Sequence, residues 1–414
     1  MRCAIALAFL LSTVTPAVAR PYDEIMAEAR DAFVAEDFAK AANLLDEAQI
    51  ERPYSLYLTR NRVLTRILTD RMEEAIAIAA DVADRGLVLE TPANEAFDRM
   101  RAEPAFAPVA ARMEENAKPV GEAHVIMEFD EARLLPEAMS KSGGRLLVGS
   151  VRTGEIRDAS NALASFASID GGVFDIEQRR NAVYAAVNNQ LAYENKSDDA
   201  FAAILVIDPK SGAVLNRHLL TPGPALIGDI EIDRKNRLYA SDSLTPRLFE
   251  VTPGKNPGDG ATRIRTIEDP RFVNPQGIAL DEKKKRLFIA DYLAGLFVLD
   301  LKTDAVAQIA NPTGAHLGGV DGLYLYKGDL IGIQNGTSPQ RIVRIKLDKT
   351  GATALAVDVI QQALPEWNEP THGIVDGDAF HYIATSNWPA YDDEGNLREG
   401  ARLEPLRIMS APLN

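Results

Sequence analysis

The stretch NPQGIALDEKKKRLFIADYLAGLFVLDL, residues 274–301, decides how most of this chain folds. It is typical of two alternating strands joined by a charged hairpin, followed by a tight turn and a third strand. Similar segments occur elsewhere, so that six copies are spaced by 35 to 56 residues. The copies begin at Pro136, Gly171, Ile227, Pro275, Val320 and Thr371.

Most copies are followed by two further strand patterns, as in RLFEV and ATRIRTI after the third copy. Four strands per copy at this spacing predict an all-β, six-bladed β-propeller. The sixth copy is followed by a third strand from Pro405 but by no fourth strand pattern. We expect the strand HVIMEF, His124–Phe129, to supply that outer strand and so to close the ring without an unpaired edge.

The N-terminal part of the chain has a helical, alanine-rich pattern from Tyr22 to about Glu115. Residues 37–48 match residues 71–82 at an offset of 34, which is the period of tetratricopeptide repeats. The matched residues are Phe38 and Met72, Ala41 and Ala75, and Leu44 and Ile78. The pattern predicts a short tetratricopeptide-like, all-α domain with a helical extension that Pro104 breaks, and a generic helical bundle is the alternative.

Three segments follow from these patterns. Residues 1–19 carry Arg2, an apolar run and the small-residue end Ala17-Val18-Ala19, which predicts a signal peptide and a periplasmic or secreted protein. Residues 20–118 are the predicted helical domain, and residues 119–414 the predicted propeller. The only cysteine is Cys3, so that no disulfide or cysteine nucleophile is expected after the signal peptide.

The charge balance limits the partners. The chain has 60 acidic and 45 basic residues and a formal charge of −15, which argues against binding to nucleic acid or anionic lipid. No segment after the signal peptide has the apolar run of a membrane span. We expect a small-molecule substrate or ligand in the propeller channel and a protein partner at the helical domain.

Aligning the six copies predicts which residues meet at the channel axis, because the innermost strand of each blade lines the channel. The aligned residues are Glu137, Gly172, Gly228, Gln276, Asp321 and His372. Carboxylate, amide and imidazole groups are suited to a divalent metal or a polar ligand. Asp229, beside Gly228, is expected to turn away from the axis. A plain channel-lining role is the alternative for each polar residue.

The segments PEAMSKSGGRLLVGSVRTGEI, NPQGIALDEKKKRLFIAD and VDGLYLYKGDLIGIQNG make the region from about residue 120 similar to the senescence marker protein/gluconolactonase/strictosidine-synthase-like propellers. At a greater distance, PTHGIV and GDIEID resemble paraoxonase-type lactonases. The resemblance implies a divalent metal, held by Glu137 in the first blade and Asp321 in the fifth, that polarises a lactone carbonyl or activates water. Gln276 stands where the family has a fourth-blade asparagine, and Gly228 where a third-blade asparagine often completes the site.

Two functions remain open from the sequence. The first is a hydrolase of a lactone or related ester, with Glu137, Gln276 and Asp321 as ligands of calcium or zinc and with Asp321 and His372 as catalytic residues. Imidazole ligation by His372 would favour zinc or another softer ion. The second is a non-catalytic propeller that binds a ligand or a protein and carries a helical interaction module.

Overall fold

The computed structural model describes residues 20–179, 181–222, 225–392 and 394–414. In these ranges six α-helices are followed by 24 strands, which form six four-stranded sheets. The fold is therefore an all-α domain followed by a six-bladed β-propeller, as the sequence predicts. The predicted signal peptide, residues 1–19, lies outside the described residues. No helix in the described ranges is long and apolar enough to cross a membrane.

The first four helices form two helix pairs with the predicted repeat. Their bounds are α1 Tyr22–Val34, α2 Phe38–Glu51, α3 Leu56–Leu68 and α4 Met72–Asp84. The offset between α1 and α3, and between α2 and α4, is thus the 34 residues seen in the sequence. Ala41 and Ala75 are fully buried, which allows the paired helices to approach closely. The side chains of Asp37 and Ser55 cap α2 and α3 by accepting hydrogen bonds from backbone N–H groups.

The helical extension covers the open side of the second pair. It consists of α5 (Glu95–Ala102) and α6 (Ala107–Asn116), separated by a 3-10 turn that begins at Pro104. Apolar residues of α5 and α6, among them Phe97 and Val109, share one core with α3 and α4. The extension therefore supplies a packing neighbour that two repeats alone would lack.

The six blades are antiparallel sheets, and their strands follow the chain from the channel outward in the first five. Blade 1 contains β2 Pro136–Ser142, β3 Arg145–Ser150, β4 Glu155–Asp158 and β5 Ala164–Ser168. Blade 2 contains β6 Gly172–Arg179, β7 Ala182–Asn188, β8 Phe201–Ile207 and β9 Val214–Pro222. Blade 3 contains β10 Ile227–Ile232, β11 Leu238–Asp242, β12 Arg247–Thr252 and β13 Arg263–Ile267.

Blade 4 contains β14 Pro275–Asp281, β15 Arg286–Asp291, β16 Gly295–Asp300 and β17 Val306–Gln308. Blade 5 contains β18 Leu323–Tyr326, β19 Asp329–Gln334, β20 Arg341–Leu347 and β21 Ala354–Gln362. Blade 6 contains β22 Gly373–Asp376, β23 Ala379–Ile383 and β24 Leu406–Pro412, and its outer strand is β1, His124–Phe129. Antiparallel pairing of β1 with β24 closes the ring, which confirms the expected closure.

The innermost strands of blades 1 to 4 each contain a β-bulge at the channel. In blade 1 the bulge lies between Pro136 and Ala138, and in blade 2 between Val173 and Asp175. A bulge adds a residue to one strand and re-aims its side chains, and such bulges are common beside functional sites. The bulges therefore decide which residues of each copy face the channel.

The helical domain is fixed to blades 4 and 5 by backbone and side-chain contacts. Tyr54 N–H donates to Leu293 O over 3.1 Å, and Val88 N–H donates to Ser338 O over 2.6 Å. The ring of Tyr54 also packs against His316 with the ring centroids 5.0 Å apart. These contacts give the helical domain a defined place on the propeller.

Candidate active site in the propeller channel

The propeller channel contains two cavities that are lined by the innermost strands. We call the first the ring cavity. It measures about 230 Å³ and is lined by residues at the starts of these strands, including Glu137, Gln276 and Asp321. We call the second the basal cavity. It measures about 360 Å³ and is lined by residues further along the strands, including Asp175 and Asp229.

Three of the four predicted site residues, Glu137, Gln276 and Asp321, line the ring cavity. The fourth, His372, lines neither cavity and is buried between them. One of its ring nitrogens lies within 4.8 Å of carboxylate oxygens of Glu137 and Asp321. The structure thus brings all four residues together from blades 1, 4, 5 and 6.

The predicted alignment of blade 2 was wrong by two residues. Gly172 was expected at the ring position, but Phe174 lines the ring cavity. Phe174 is the extra residue of the bulge in β6, as Glu137 is the extra residue of the bulge in β2. Gly171 and Gly172 at the start of the copy lie before the bulge. Because the bulge re-aims the strand, the side chain that lines the ring cavity is that of Phe174.

Glu137 is a buried carboxylate with one neutral hydrogen-bond donor. The indole Nε1 of Trp388 donates to its Oε2 over 2.6 Å. Burial first, and the negative charge of Asp321 second, raise the pKa of Glu137 to about 8. His372 and the hydrogen bond from Trp388 offset only part of this rise in the pKa of Glu137.

Asp321 is oriented by a short chain of polar side chains. Asn335 donates from Nδ2 to Asp321 Oδ2 over 2.6 Å, and Tyr292 donates from its hydroxyl to Asn335 Oδ1 over 3.0 Å. Burial raises the pKa of Asp321, although His372 and the hydrogen bond from Asn335 act in the opposite direction. The amide of Asn335 therefore fixes one carboxylate oxygen.

Gln276 and Gly228 complement each other in length. The Oε1 atom of Gln276 lies 2.7 Å from the point where a Cβ atom on Gly228 would stand. The amide is held on its other side by Asn274, whose Oδ1 accepts from Gln276 Nε2 over 3.1 Å. The extra methylene of Gln276 thus carries its oxygen into the space that the glycine of blade 3 leaves open.

Glu369 is a further carboxylate of the ring cavity that the sequence comparison missed. It lies in the loop before β22, with a positive φ of 57°. Burial first and Asp321 second raise the pKa of Glu369 to about 7. Its one signal in the sequence is its place three residues before His372, and the loop has no strand periodicity that would have shown its direction.

His372 joins the acidic groups of the two cavities. Its Nδ1 lies 3.4 Å from Asp175 Oδ1, and the ring also lies close to Asp229. Burial alone would lower the pKa of His372, but the hydrogen bond and charge of Asp175, with Asp229 and Glu137, raise it to about 10. These carboxylates thus favour the protonated imidazolium, whereas a general base requires the neutral form.

Asp229 points into the channel, so the expectation that it turns away was wrong. Its Oδ2 accepts from Ile278 N–H of the next blade over 2.7 Å, and Asp175 accepts in the same way from Ile230 N–H over 3.0 Å. Burial and the neighbouring Asp175 raise the pKa of Asp229 well above its usual value. Each of these aspartates thus fastens its blade to the following one.

The donor set of the ring cavity fits an oxygen-preferring divalent cation. Glu137, Asp321 and Glu369 offer carboxylate oxygens, and Gln276 offers an amide oxygen. Among the described residues, no lysine or arginine lines the cavity to neutralise these groups. A nitrogen-preferring ion fits less well, because His372 is already engaged with Asp175.

Fold and site together define the class: a six-bladed propeller with an acidic channel cavity and a helical domain at its N-terminal side. A scan against protein-family models gave no match for the chain, and a search of the curated proteins gave none either. Solved structures do match, at low sequence identity.

The major allergen Mala s 1 of Malassezia sympodialis is 12% identical, with 68% of this chain and 95% of that chain covered and a TM-score of 0.50. A proposed oxidoreductase (glucose dehydrogenase) of Thermus thermophilus is 16% identical, with 70% and 99% covered and a TM-score of 0.45. BamB of Moraxella catarrhalis is 10% identical, with 67% and 84% covered and a TM-score of 0.38. At 12% identity the similarity to Mala s 1 shows the fold alone.

Proposed function

We propose that the ring cavity binds a divalent cation and that the protein hydrolyses a lactone or related ester there. The observation that carries the proposal is the set of three carboxylates, Glu137, Asp321 and Glu369, around one small cavity with no lysine or arginine in its described lining. Buried carboxylates that repel one another gain most from a bound cation. Their oxygen chemistry favours calcium over zinc.

Glu137, Gln276 and Asp321 would hold the cation, and each already has a partner that orients it. Trp388 fixes Glu137, Asn335 fixes Asp321, and Asn274 fixes the amide of Gln276. A bound divalent cation supplies Lewis acidity toward a carbonyl oxygen. The resemblance to the gluconolactonase-like propellers supports Glu137 and Asp321 as ligands, whereas Gln276 takes the place of the family's asparagine.

The remaining residues of the cavity bind the substrate and handle protons. Phe174 and Trp388 provide apolar walls, which suit the ring of a lactone and exclude bulk water. Glu369 is a carboxylate at the cavity's edge and is placed to accept a proton from an attacking water. We assign His372 a positioning role, because its charge lies between Glu137 and Asp175 and holds both groups at the axis.

We further propose that the chain is exported to the periplasm or secreted. The support is the signal-peptide pattern of residues 1–19. Export would give the ring cavity access to calcium at extracellular concentrations, which suit weak oxygen-donor sites.

A non-catalytic binding propeller is the second candidate. His372 already supplies one positive charge to the channel, and Glu137 and Asp321 already accept hydrogen bonds from Trp388 and Asn335. A channel stabilised by its own cation needs no metal. In that case the ring cavity would bind an uncharged or cationic small molecule without turning it over.

Metal content decides between the two candidates. Protein purified without chelator should contain about one divalent ion per chain by mass spectrometry of the digested sample. Asp321→Asn should lose the ion and any activity toward a panel of lactones and aryl esters. Asp229→Asn is the control, because Asp229 is a buried channel aspartate that does not line the ring cavity.

Retention of the ion in the Asp229→Asn protein would assign it to the ring cavity. Absence of any ion, together with no heat of binding for calcium or zinc in calorimetry, would sink the hydrolase proposal and leave the binding propeller.

A further inference from the structure

Besides the two channel cavities, a cleft lies between the helical domain and the propeller. It has a volume of about 660 Å³ and is lined on one side by Leu56, Tyr57 and Arg60 of α3 and by residues 88–90. The other side is formed by residues 335–338 of blade 5 and by Glu369. We call this space the domain cleft.

The domain cleft adjoins the ring cavity. Asn335 and Glu369 line both spaces, so that one side of each residue faces the channel and the other faces the helical domain. Asn335 is also the residue that fixes Asp321. The two spaces therefore meet at Asn335 and Glu369.

The helical wall of the domain cleft is held in a fixed position. Val88 N–H donates to Ser338 O, which joins the two walls at the cleft itself. Arg341 of blade 5 donates from Nη1 to Arg85 O over 3.4 Å, and Arg85 lies shortly before residues 88–90 in the chain. The cleft is thus a built space between two docked domains.

The domain cleft combines apolar side chains on its helical side with polar groups of blade 5 and one cation, Arg60. Leu56, Val88 and Leu89 line it, and Tyr57 lies on its rim with 57% of its surface exposed. The guanidinium of Arg60 lies 5.6 Å from the ring centroid of Tyr57. In the part of the chain that the structure describes, no carboxylate pairs with Arg60, although acidic side chains pair with many other arginines.

The domain cleft differs from the ring cavity in holding a basic side chain. The ring cavity has carboxylates only, whereas the domain cleft adds the positive charge of Arg60 to the acidic groups Glu90 and Glu369. An arginine without a carboxylate partner, next to apolar side chains, is suited to a carboxylate, which it can bind through two parallel hydrogen bonds.

We propose that the domain cleft is the second half of the substrate site and that the substrate carries an apolar chain ending in a carboxylate, which Arg60 binds. This inference rests on the proposed hydrolase function, since it places the ester or lactone carbonyl in the ring cavity. Arg60 and Tyr57 are then specificity-determining residues. The helical domain contributes to recognition of a small molecule, whereas the sequence alone suggested a protein partner for it.

The test uses a graded series of esters. Mono(4-nitrophenyl) esters of linear dicarboxylic acids, from succinic to sebacic acid, are compared with the same esters capped as methyl esters at the far carboxylate. At one chain length, kcat/KM of wild-type protein should be higher for the free acid. In Arg60→Leu this preference should fall by about 10- to 100-fold, since a charge-assisted hydrogen bond contributes about 1.5 to 3 kcal/mol.

Two further variants control this experiment. Arg30→Leu removes an exposed arginine of α1 that lies outside the cleft, and the preference should remain. Arg60→Lys keeps the charge but loses the planar, two-pronged geometry, and it should restore part of the preference. Thermal unfolding of each variant shows whether the helical domain is still folded.

Binding of the uncleaved 4-nitroanilide half-amides, measured by calorimetry, separates this inference from the hydrolase proposal. Arg60-dependent binding without turnover of any ester would support the domain cleft and contradict the hydrolase. Turnover with no effect of the free carboxylate or of Arg60→Leu would overturn the inference alone. Arg60-dependent binding of peptides with a free C-terminus, with no binding of half-amides, would assign the cleft to a protein partner and overturn it as well.

Discussion

At the residue scale, the site depends on pairs of side chains that fix one another, and several of these pairs join different blades. Gln276 of blade 4 fills the space left by Gly228 of blade 3, and Asn335 orients Asp321 within blade 5. His372 of blade 6 reaches Asp175 of blade 2 across the channel axis. Single substitutions at these positions should therefore have effects that a partner substitution can reverse.

Gly228→Ala should weaken calcium binding by roughly tenfold, which corresponds to about 1.4 kcal/mol. The new methyl carbon would stand only 2.7 Å from the Oε1 atom of Gln276 and would displace that oxygen. Calcium affinity is measured by calorimetry. The double variant Gly228→Ala/Gln276→Asn shortens the amide side chain and should recover most of the loss. Equal affinities of the single and double variants would contradict this complementarity.

His372→Gln should destabilise the fold by about 3 kcal/mol at neutral pH. The substitution removes the cation from a buried cluster and leaves Asp175 without its partner at 3.4 Å. The measurement is the free energy of unfolding in urea. His124→Gln, on the exposed strand β1, is the control and should change the stability little. A loss below about 1 kcal/mol would show that the His372 ion pair is no stronger than a surface pair.

At the scale of the element, the innermost strands concentrate acidic side chains in the basal cavity. Glu177 of β6 and Glu231 of β10 face each other there, and burial first and then their mutual charge raise the pKa of Glu177 to about 8. Arg179 offsets part of this effect by pairing with Glu177 over 2.9 Å. The other charged groups of the cavity are Lys141, Asp175, Asp229 and Asp376.

Glu177→Gln should raise the melting temperature at about pH 8 and change it less at about pH 5. The folded protein favours the protonated form of Glu177, so its contribution to stability is present in acid and is lost as the pH rises toward the folded pKa of about 8. A neutral glutamine avoids that loss. Glu114→Gln is the control, because Glu114 is an exposed glutamate of α6. A gain in the melting temperature of Glu177→Gln that does not depend on pH would disprove the explanation.

At the scale of the whole molecule, one aromatic ring docks the helical domain on the propeller. Tyr54 packs over Gly295 of blade 4 and Gly318 of the loop that follows it, where a Cβ atom on either glycine would collide with its side chain. Its hydroxyl accepts from Asn311 Nδ2 over 3.2 Å. The linker adds a second attachment, because Val120 exchanges two backbone hydrogen bonds of 3.0 Å with Gln362 of β21.

Tyr54→Ala should release the helical domain at a cost of about 2 kcal/mol, the value expected for exposing a large apolar side chain. The variant should lose the cooperative melting of the two domains, and a protease should cut the linker, residues 117–123, faster. Tyr57→Ala is the matched control, since Tyr57 is exposed on the same helical domain and does not dock it. Unchanged proteolysis in both variants would mean that the other contacts between the domains, such as that of Val88 with Ser338, hold them together without Tyr54.

The sequence allowed the blades to be predicted, because strand alternation and hairpins repeat along the chain. It was less informative for the channel, because a bulge breaks the alternation at the point where a side chain turns toward the axis. Matching FDIE at residues 174–177 with GDIE at residues 228–231 would have placed Phe174 and Asp229 correctly. Glu369 and the domain cleft could not be found in this way, since a loop and a docking geometry have no periodicity.

The order of the strands along the chain has a further consequence. The helical domain finds all its core partners within residues 20–116 and can fold early during synthesis. Strand β1 comes next, but its partner β24 follows every other strand. The nascent protein therefore carries a finished helical domain on a ring that is still open. A nonsense mutation that removes only β24 would leave both β1 and β23 with bare edges, and such edges promote aggregation.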